Sequence, residues 1–387
     1  LPADATFDAP RPPSPKVEQF LHEIAPATPF IVVDLDVVEE RYHQLVHALP
    51  RAVVYYAVKA NPARQVLERL LGLGSAFDVA SPNEIDACLA VGVDPARISY
   101  GNTVKKRRDI AYAASVGVRR FTVDAAEELD KVADEAPGSS VCVRLFDEGG
   151  GADWPLSRKF GCDGEATARL LARATRAGLG CGVSFHVGSQ QRDPDAFADA
   201  LGRTATVFAA ARDSGARPSF LNLGGGFPAH YVEGIPAVSQ YGASIERALV
   251  EHGFDDLDEI MVEPGRYLVA DAGLLRSEVV LVSRRQPDDR QRWVYLDCGK
   301  FHGLAETMEE AIRYRMRTPH DGGPTGPVAV AGPTCDSADV LYEKTDYELP
   351  LALRDGDLVD LLSAGAYTTT YSSVGFNGFP PLAEYYV

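Results

Sequence analysis

Eight short apolar or β-branched runs between residues 53 and 265 constrain the fold of this 387-residue chain more than any other feature. They are VVYYAV (53–58), AFDVA (76–80), ISYGN (98–102), RFTVD (120–124), VCVRLF (141–146), GVSFHVG (182–188), FLNLGGG (220–226) and EIMVEPG (259–265). Between them lie segments such as SPNEIDACLAVGV, with apolar residues at helical spacing and glycine near the end. Strands that alternate with helices imply a parallel α/β sheet. Eight is the number that closes a (β/α)8 barrel, with a doubly wound open sheet as the alternative. The first strands recur about every 22 residues and the later ones about every 40. The later units therefore carry insertions, and GGGADWPLSRKFG (149–161) and HYVEGIPAVSQYG (230–242) are expected as active-site loops.

After about residue 270 the rhythm changes. LLRSEVVLVSRR, RWVYLDCG, GPVAVAG, YELP and DLVDLLSAG are short runs separated by turns, as in an all-β barrel or sandwich. The expected division is residues 1–30 as an N-terminal arm and first part of the β domain, 31–270 as the barrel and 271–387 as the β domain. PFIVVDLD (29–36) is expected to start in, or cross from, the β domain. The opening LPADATFDAPRPPSPK lacks an apolar core, which argues against a signal peptide, and it reads as a flexible arm.

A net charge of −17 opposes binding to nucleic acid or to an anionic membrane surface. No apolar run is long enough to span a bilayer. The six cysteines are scattered without a CxxC pair, so neither a disulfide framework nor a metal site is expected, and the cytoplasm is the expected location.

The polar residues at the strand ends narrow the chemistry. Catalytic groups of such a barrel gather at the C-terminal ends of its strands. Here those ends carry Lys59, Asp78, Arg144, His186 followed by Ser189, the triplet Gly224–Gly225–Gly226, and Glu263 followed by Gly265 and Arg266. Singly, each has an ordinary explanation: a solvated lysine, a core histidine, a tight turn, a structural ion pair. Together they suit one ligand. Glycines open backbone N–H groups to an anion, and Arg266 adds positive charge. A lysine amine condenses with an aldehyde. A carboxylate keeps a pyridine nitrogen protonated, and a histidine stacks on a ring. Phosphate, aldehyde and pyridine together describe pyridoxal 5′-phosphate (PLP).

YYAVKANP, FDVAS, SFHVGS, LGGGFP, EPGRYLVA, GPTCDSADVL and AGAYT resemble the fold-type III PLP decarboxylases, the family of ornithine, lysine, arginine and diaminopimelate decarboxylases. The resemblance runs from about residue 28 to the end. It implies an alanine racemase-like barrel, a C-terminal β domain and a head-to-tail homodimer with shared active sites. It also implies that Lys59 holds the cofactor covalently, Glu263 pairs with the pyridine nitrogen and His186 stacks on the ring. Ser189, Gly224, Gly225, Gly226, Gly265, Arg266 and Tyr367 would bind the phosphate, with Asp78 and Arg144 in support. Cys335 would protonate the α carbon, and Asp336 would bind the distal cation of a diamino acid, both from across the dimer interface.

The Cys-Asp pair resembles the ornithine and lysine enzymes, since diaminopimelate decarboxylases usually carry Cys-Glu. The stretch YLDCGKFHGLAETMEEA (295–311) resembles their bacterial branch. Cys298 stands where animal-type ornithine decarboxylases have a second aspartate, and Asp297 or Glu306 is a candidate replacement. His302 is expected to face solvent. The implied activity is decarboxylation of L-ornithine to putrescine, with L-lysine to cadaverine beside it. A diaminopimelate or D-amino acid decarboxylase stays open, as does an amino-acid racemase on the same barrel. A racemase predicts a second base and no Cys-Asp motif. A relative that has lost PLP predicts loss of the lysine, glycines or glutamate, and a lone-barrel vitamin B6 carrier predicts no β domain.

Overall fold

A computed structural model describes residues 7–154 and 159–387. Eight parallel strands close into a barrel: β1 (Ala52–Ala57), β2 (Ala76–Val79), β3 (Ile98–Tyr100), β4 (Arg120–Val123), β5 (Ser140–Arg144), β6 (Gly180–Ser184), β7 (Phe220–Asn222) and β8 (Glu259–Val262). They neighbour each other in chain order, and β8 returns to β1 through Ile260–Ala52 to Val262–Val54. Parallel neighbours need a crossover, and the amphipathic segments supply it as helices. The helix after β2, Pro82–Ala90, shows how local sequence builds such a crossover. Ser81 caps it by accepting from Glu84 N, Pro82 occupies the first turn, and Glu84 Oε2 accepts from Ala80 N at 2.7 Å. Those bonds fix the chain just past Asp78.

At the N-terminal end of the barrel, Glu259, the first residue of β8, pairs with Arg120, the first residue of β4, at 2.6 Å. Tyr55 joins them, donating to Glu259 at 2.9 Å and accepting from Arg120 at 2.8 Å. This knot ties opposite strands together and leaves the other strand ends for the site.

The chain forms two compact units. The first comprises residues 1–8, 39–228 and 235–267, and the second residues 9–38, 229–234 and 268–387. In the second, the long strand Gly273–Ser283 pairs with Phe30–Val33, Arg292–Leu296 and Leu358–Leu362 within a nine-stranded sheet. Arg276 clasps Asp360 on the neighbouring strand with two bonds of 2.7 and 2.9 Å. Phe30–Val33 is wholly buried and lies between Gly273–Arg276 and the C-terminal strand Ala383–Tyr386.

The described part of the expected flexible arm is ordered. Phe7–Asp8 pairs with Ile235–Pro236, and Pro15–Glu23 is a helix capped by Ser14 that buries Val17 and Leu21 against Phe30, Val32 and Leu274. The Ser-Pro pair is the signal for that helix start, hidden by the surrounding prolines. Residues 1–6 lie outside the described residues. Of the two expected active-site loops, 230–242 contributes the strand Ile235–Pro236 and the start of the helix Val238–Glu251. In the other, Ala152–Trp154 pairs with Ser189–Gln191, and residues 155–158 are outside the described set. No described helix is long and apolar enough to cross a membrane.

Candidate functional site

Lys59 does not end β1 but sits in a 3-10 turn, Val58–Ala60, immediately after it. Ala57 N donates to Pro264 O at 3.1 Å, so the turn is anchored to the segment that follows β8. Lys59 Nζ lies 3.6 Å from Asp78 Oδ2, with the amine half exposed and the carboxylate buried. Asp78 Oδ1 has no hydrogen-bond partner. Burial pushes the Asp78 carboxyl well above the usual carboxylate range, and Glu263 adds to this while Lys59 opposes it.

The three glycines after β7 are required by contact. A Cβ at Gly224 would lie 2.2 Å from Phe185 O, at Gly225 2.5 Å from Glu263 O, and at Gly226 2.4 Å from Gly188 O. Gly224 and Gly226 also have φ of +66° and +111°. This loop is therefore pressed against the chain after β6 and the chain after β8. Arg266 is buried and begins a short helix, and its Nε and Nη2 both donate to Ser189 Oγ at 3.2 Å.

Asn222, a polar and fully buried residue in β7, was not among the residues singled out from the sequence. Its Oδ1 accepts from Gly224 N at 2.8 Å and its Nδ2 donates to Glu263 Oε1 at 2.5 Å. A backbone N–H can only donate, so the first bond fixes which end of the amide faces which neighbour. Glu263 must then accept. The one signal in the sequence was an asparagine inside an otherwise apolar run.

His186 follows β6, and its Nδ1 accepts from Gly188 N at 3.0 Å. Burial, then Arg144 and Lys59, hold its pKa well below the ordinary imidazole value. The ring is therefore neutral, with its proton on Nε2. The unfolded chain protonates this histidine below about pH 6.5 and the folded one does not, so the fold loses stability as pH falls through that value. In denaturant titrations of the apoprotein, His186→Asn is expected to flatten the loss between about pH 6.5 and 5. An unchanged slope would assign the loss elsewhere. Arg144 ends β5 with its guanidinium over the Phe160 ring, 5.1 Å from the centroid. These residues, with Gly265, all belong to the first unit and share the C-terminal ends of its strands.

The second unit holds the remaining candidates. Cys335 and Asp336 are exposed on the loop before the strand Val340–Tyr342. Asp339, not singled out from the sequence, shapes that loop. Its buried carboxylate accepts from Lys300 N at 2.8 Å, Thr334 N at 3.1 Å and Thr334 Oγ1 at 2.7 Å. Asp336 Oδ1 accepts from Ala338 N at 2.8 Å. Tyr367 has φ +57° in the turn after the strand Leu358–Leu362. Glu306 is buried in the 3-10 turn Ala305–Glu310, and Asp297 Oδ1 is taken up by Ser277 Oγ and Glu278 N. Cys298 is buried and donates to His302 O at 3.6 Å.

His302 does not face solvent. It is 6% exposed and packs edge-on to Phe379 with ring centroids 4.6 Å apart. Burial lowers its pKa. Among the described residues all six cysteines are free, and no cluster of His, Cys, Asp or Glu could hold a metal.

The family described as pyridoxal-dependent decarboxylase, pyridoxal binding domain, matches residues 35–270. The chain is 37% identical to the lysine/ornithine decarboxylase of Selenomonas ruminantium over 91% of its own length and 88% of that protein. Among solved structures it is similar to SrLDC in complex with PLP and cadaverine, with TM-score 0.85 and 35% identity, covering 98% of this chain and 95% of that one. It is also similar to the lysine/ornithine decarboxylase of Vibrio vulnificus complexed with putrescine, with TM-score 0.84 and 30% identity, covering 97% and 99%.

Proposed function

Since the chain belongs to the fold-type III PLP-dependent ornithine/lysine decarboxylase family, we propose that this basic amino-acid decarboxylase acts first on L-ornithine, giving putrescine and CO2, and more slowly on L-lysine, giving cadaverine. Its cofactor is PLP. The residues present fit that group. A side-chain-free glycine loop with its backbone N–H groups unshielded, a buried Asp78 oxygen without a partner and a lysine amine beside it suit a ligand with a phosphate and an aldehyde.

In this reading Lys59 holds the cofactor. Gly224, Gly225, Gly226, Ser189, Gly265 and Arg266 take its phosphate, and the family resemblance adds Tyr367. His186, neutral, would stack on the ring. Glu263, held as an acceptor by Asn222, receives the ring N–H. Asp78 steadies the Lys59 amine, and Arg144 adds positive charge among Glu263, Asp124 and Asp78. Bound there, PLP supplies a ring that accepts the electron pair released as CO2 leaves. Cys335 gives a proton to the α carbon, and Asp336 pairs with the distal ammonium, each serving the partner's site in a homodimer. Glu306 is the candidate second carboxylate at the distal end. Six free cysteines suit work in the cytoplasm.

The observation that carries the substrate is the short carboxylate of Asp336 next to Cys335, on a loop that Asp339 holds in shape. CO2 release and amine product are to be measured with L-ornithine, L-lysine, L-arginine, meso-diaminopimelate and the D-forms. L-Ornithine is expected to turn over fastest, with lysine behind it. Preference for meso-diaminopimelate or a D-form would overturn the proposal.

A further inference from the structure

The thiol of Cys335 is not a free rotor. Asn377, 42 residues further on, accepts two hydrogen bonds from it through a single atom: the Cys335 backbone N–H reaches Asn377 Oδ1 at 3.1 Å, and Sγ reaches the same oxygen at 3.3 Å. A backbone N–H has no acceptor capacity, so the amide presents its oxygen and not its NH2 to this cysteine. The sulfur therefore meets an acceptor and must supply the hydrogen itself. Asn377 is suited to the place in a second way. Its φ is +51°, in a turn flanked by Gly375 at +73° and Gly378 at +79°, and asparagine adopts this left-handed region more readily than other side chains. The turn is braced by Phe376, whose ring packs on Phe301 at 4.7 Å. Asp339 braces the loop of Cys335 from its other side. Two rigid turns thus meet at one oxygen.

We propose that Asn377 is a positioning residue: by accepting from both the backbone N–H and the sulfur of Cys335 it fixes the direction of the thiol, so that the proton is in place when the α carbon needs it. The proposal rests on the reading of Cys335 as the proton donor. An acceptor oxygen 3.3 Å from the sulfur selects one side-chain rotamer from the three staggered wells, and it covers one side of the sulfur against an alkylating agent.

The test uses the PLP-loaded enzyme and two substitutions. Asn377→Gly removes the amide and tolerates the positive φ, while Asn377→Asp keeps an oxygen in place at the same φ. Without substrate and at one fixed pH, the alkylation rate of Cys335 by iodoacetamide is read by peptide mass spectrometry. Asn377→Gly is expected to raise it roughly fivefold, with kcat down about tenfold and KM within about twofold. Asn377→Asp is expected to bring both rates back towards those of the unaltered enzyme. Equal alkylation rates in the unaltered and Asn377→Gly enzymes would overturn the proposal. Cys335→Ala tests the underlying reading separately. If it leaves kcat intact while Asn377→Gly still speeds alkylation, the hydrogen bond stands and the proton-donor assignment fails.

Discussion

Lys59→Ala is expected to lower turnover of the best substrate by at least about 10⁴-fold, because in the proposed function one amine both attaches the cofactor and frees the product. Borohydride reduction of the unaltered enzyme should add the cofactor's mass to the peptide containing Lys59, and the altered enzyme should show no such adduct. Lys59→Arg separates charge from nucleophilicity. It restores a cation near Asp78, whose partner now lies 3.6 Å away, but it cannot condense with an aldehyde at neutral pH. Arginine is therefore expected to recover folding stability without recovering activity. Retention of a few per cent of turnover by Lys59→Ala would remove this residue from the centre of the mechanism.

Glu263→Gln should cost about 10²- to 10³-fold in kcat, with little change in KM, as for other losses of a single preorganised electrostatic contact. The size follows from Asn222. Its amide is locked by the Gly224 N–H, so its NH2 must point at residue 263. A glutamine there either turns its own NH2 on that NH2 or turns its carbonyl to Asn222 and offers the ring only a donor. The first leaves the carbonyl free to accept from the ring nitrogen only by setting two donors against each other, and the second cannot accept at all. Steady-state kinetics across substrate concentration measures the split, and a kcat within tenfold of the original would mean that another group holds the ring nitrogen.

Much of the architecture was legible in the residues. The eight runs beginning at VVYYAV are rich in β-branched and aromatic residues, the segments between them repeat at helical spacing, and their number favours a closed parallel barrel over an open sheet. The strand-end residues were legible as a set because each is chemically expensive there: a lysine, an aspartate, a histidine and a glutamate, each beside a buried run. What the residues could not display is who accepts from whom. Asn222 reads as an ordinary polar residue until the Gly224 N–H settles its orientation, and Asp339 reads as the tail of a motif until its carboxylate gathers Lys300 and Thr334. His302 was misread because its burial depends on Phe379, far along the chain. The helix Pro15–Glu23 was missed because proline-rich composition outweighed a two-residue cap. Each miss concerns a long-range partner or a short local signal, not a periodicity.

The strand Phe30–Val33 has a consequence for the way the protein is made. Its four apolar residues find their hydrogen-bonding neighbours only at Gly273–Arg276 and Ala383–Tyr386. At roughly 5–20 residues per second, a ribosome needs on the order of ten seconds or more to travel from the first of these segments to the second, and longer to reach the third. Throughout that time an early-emerging sticky segment has no permanent home. A nascent chain stalled short of residue 273 would carry it bare, which makes this short stretch the natural place for a holding chaperone to act and for an incomplete product to clump.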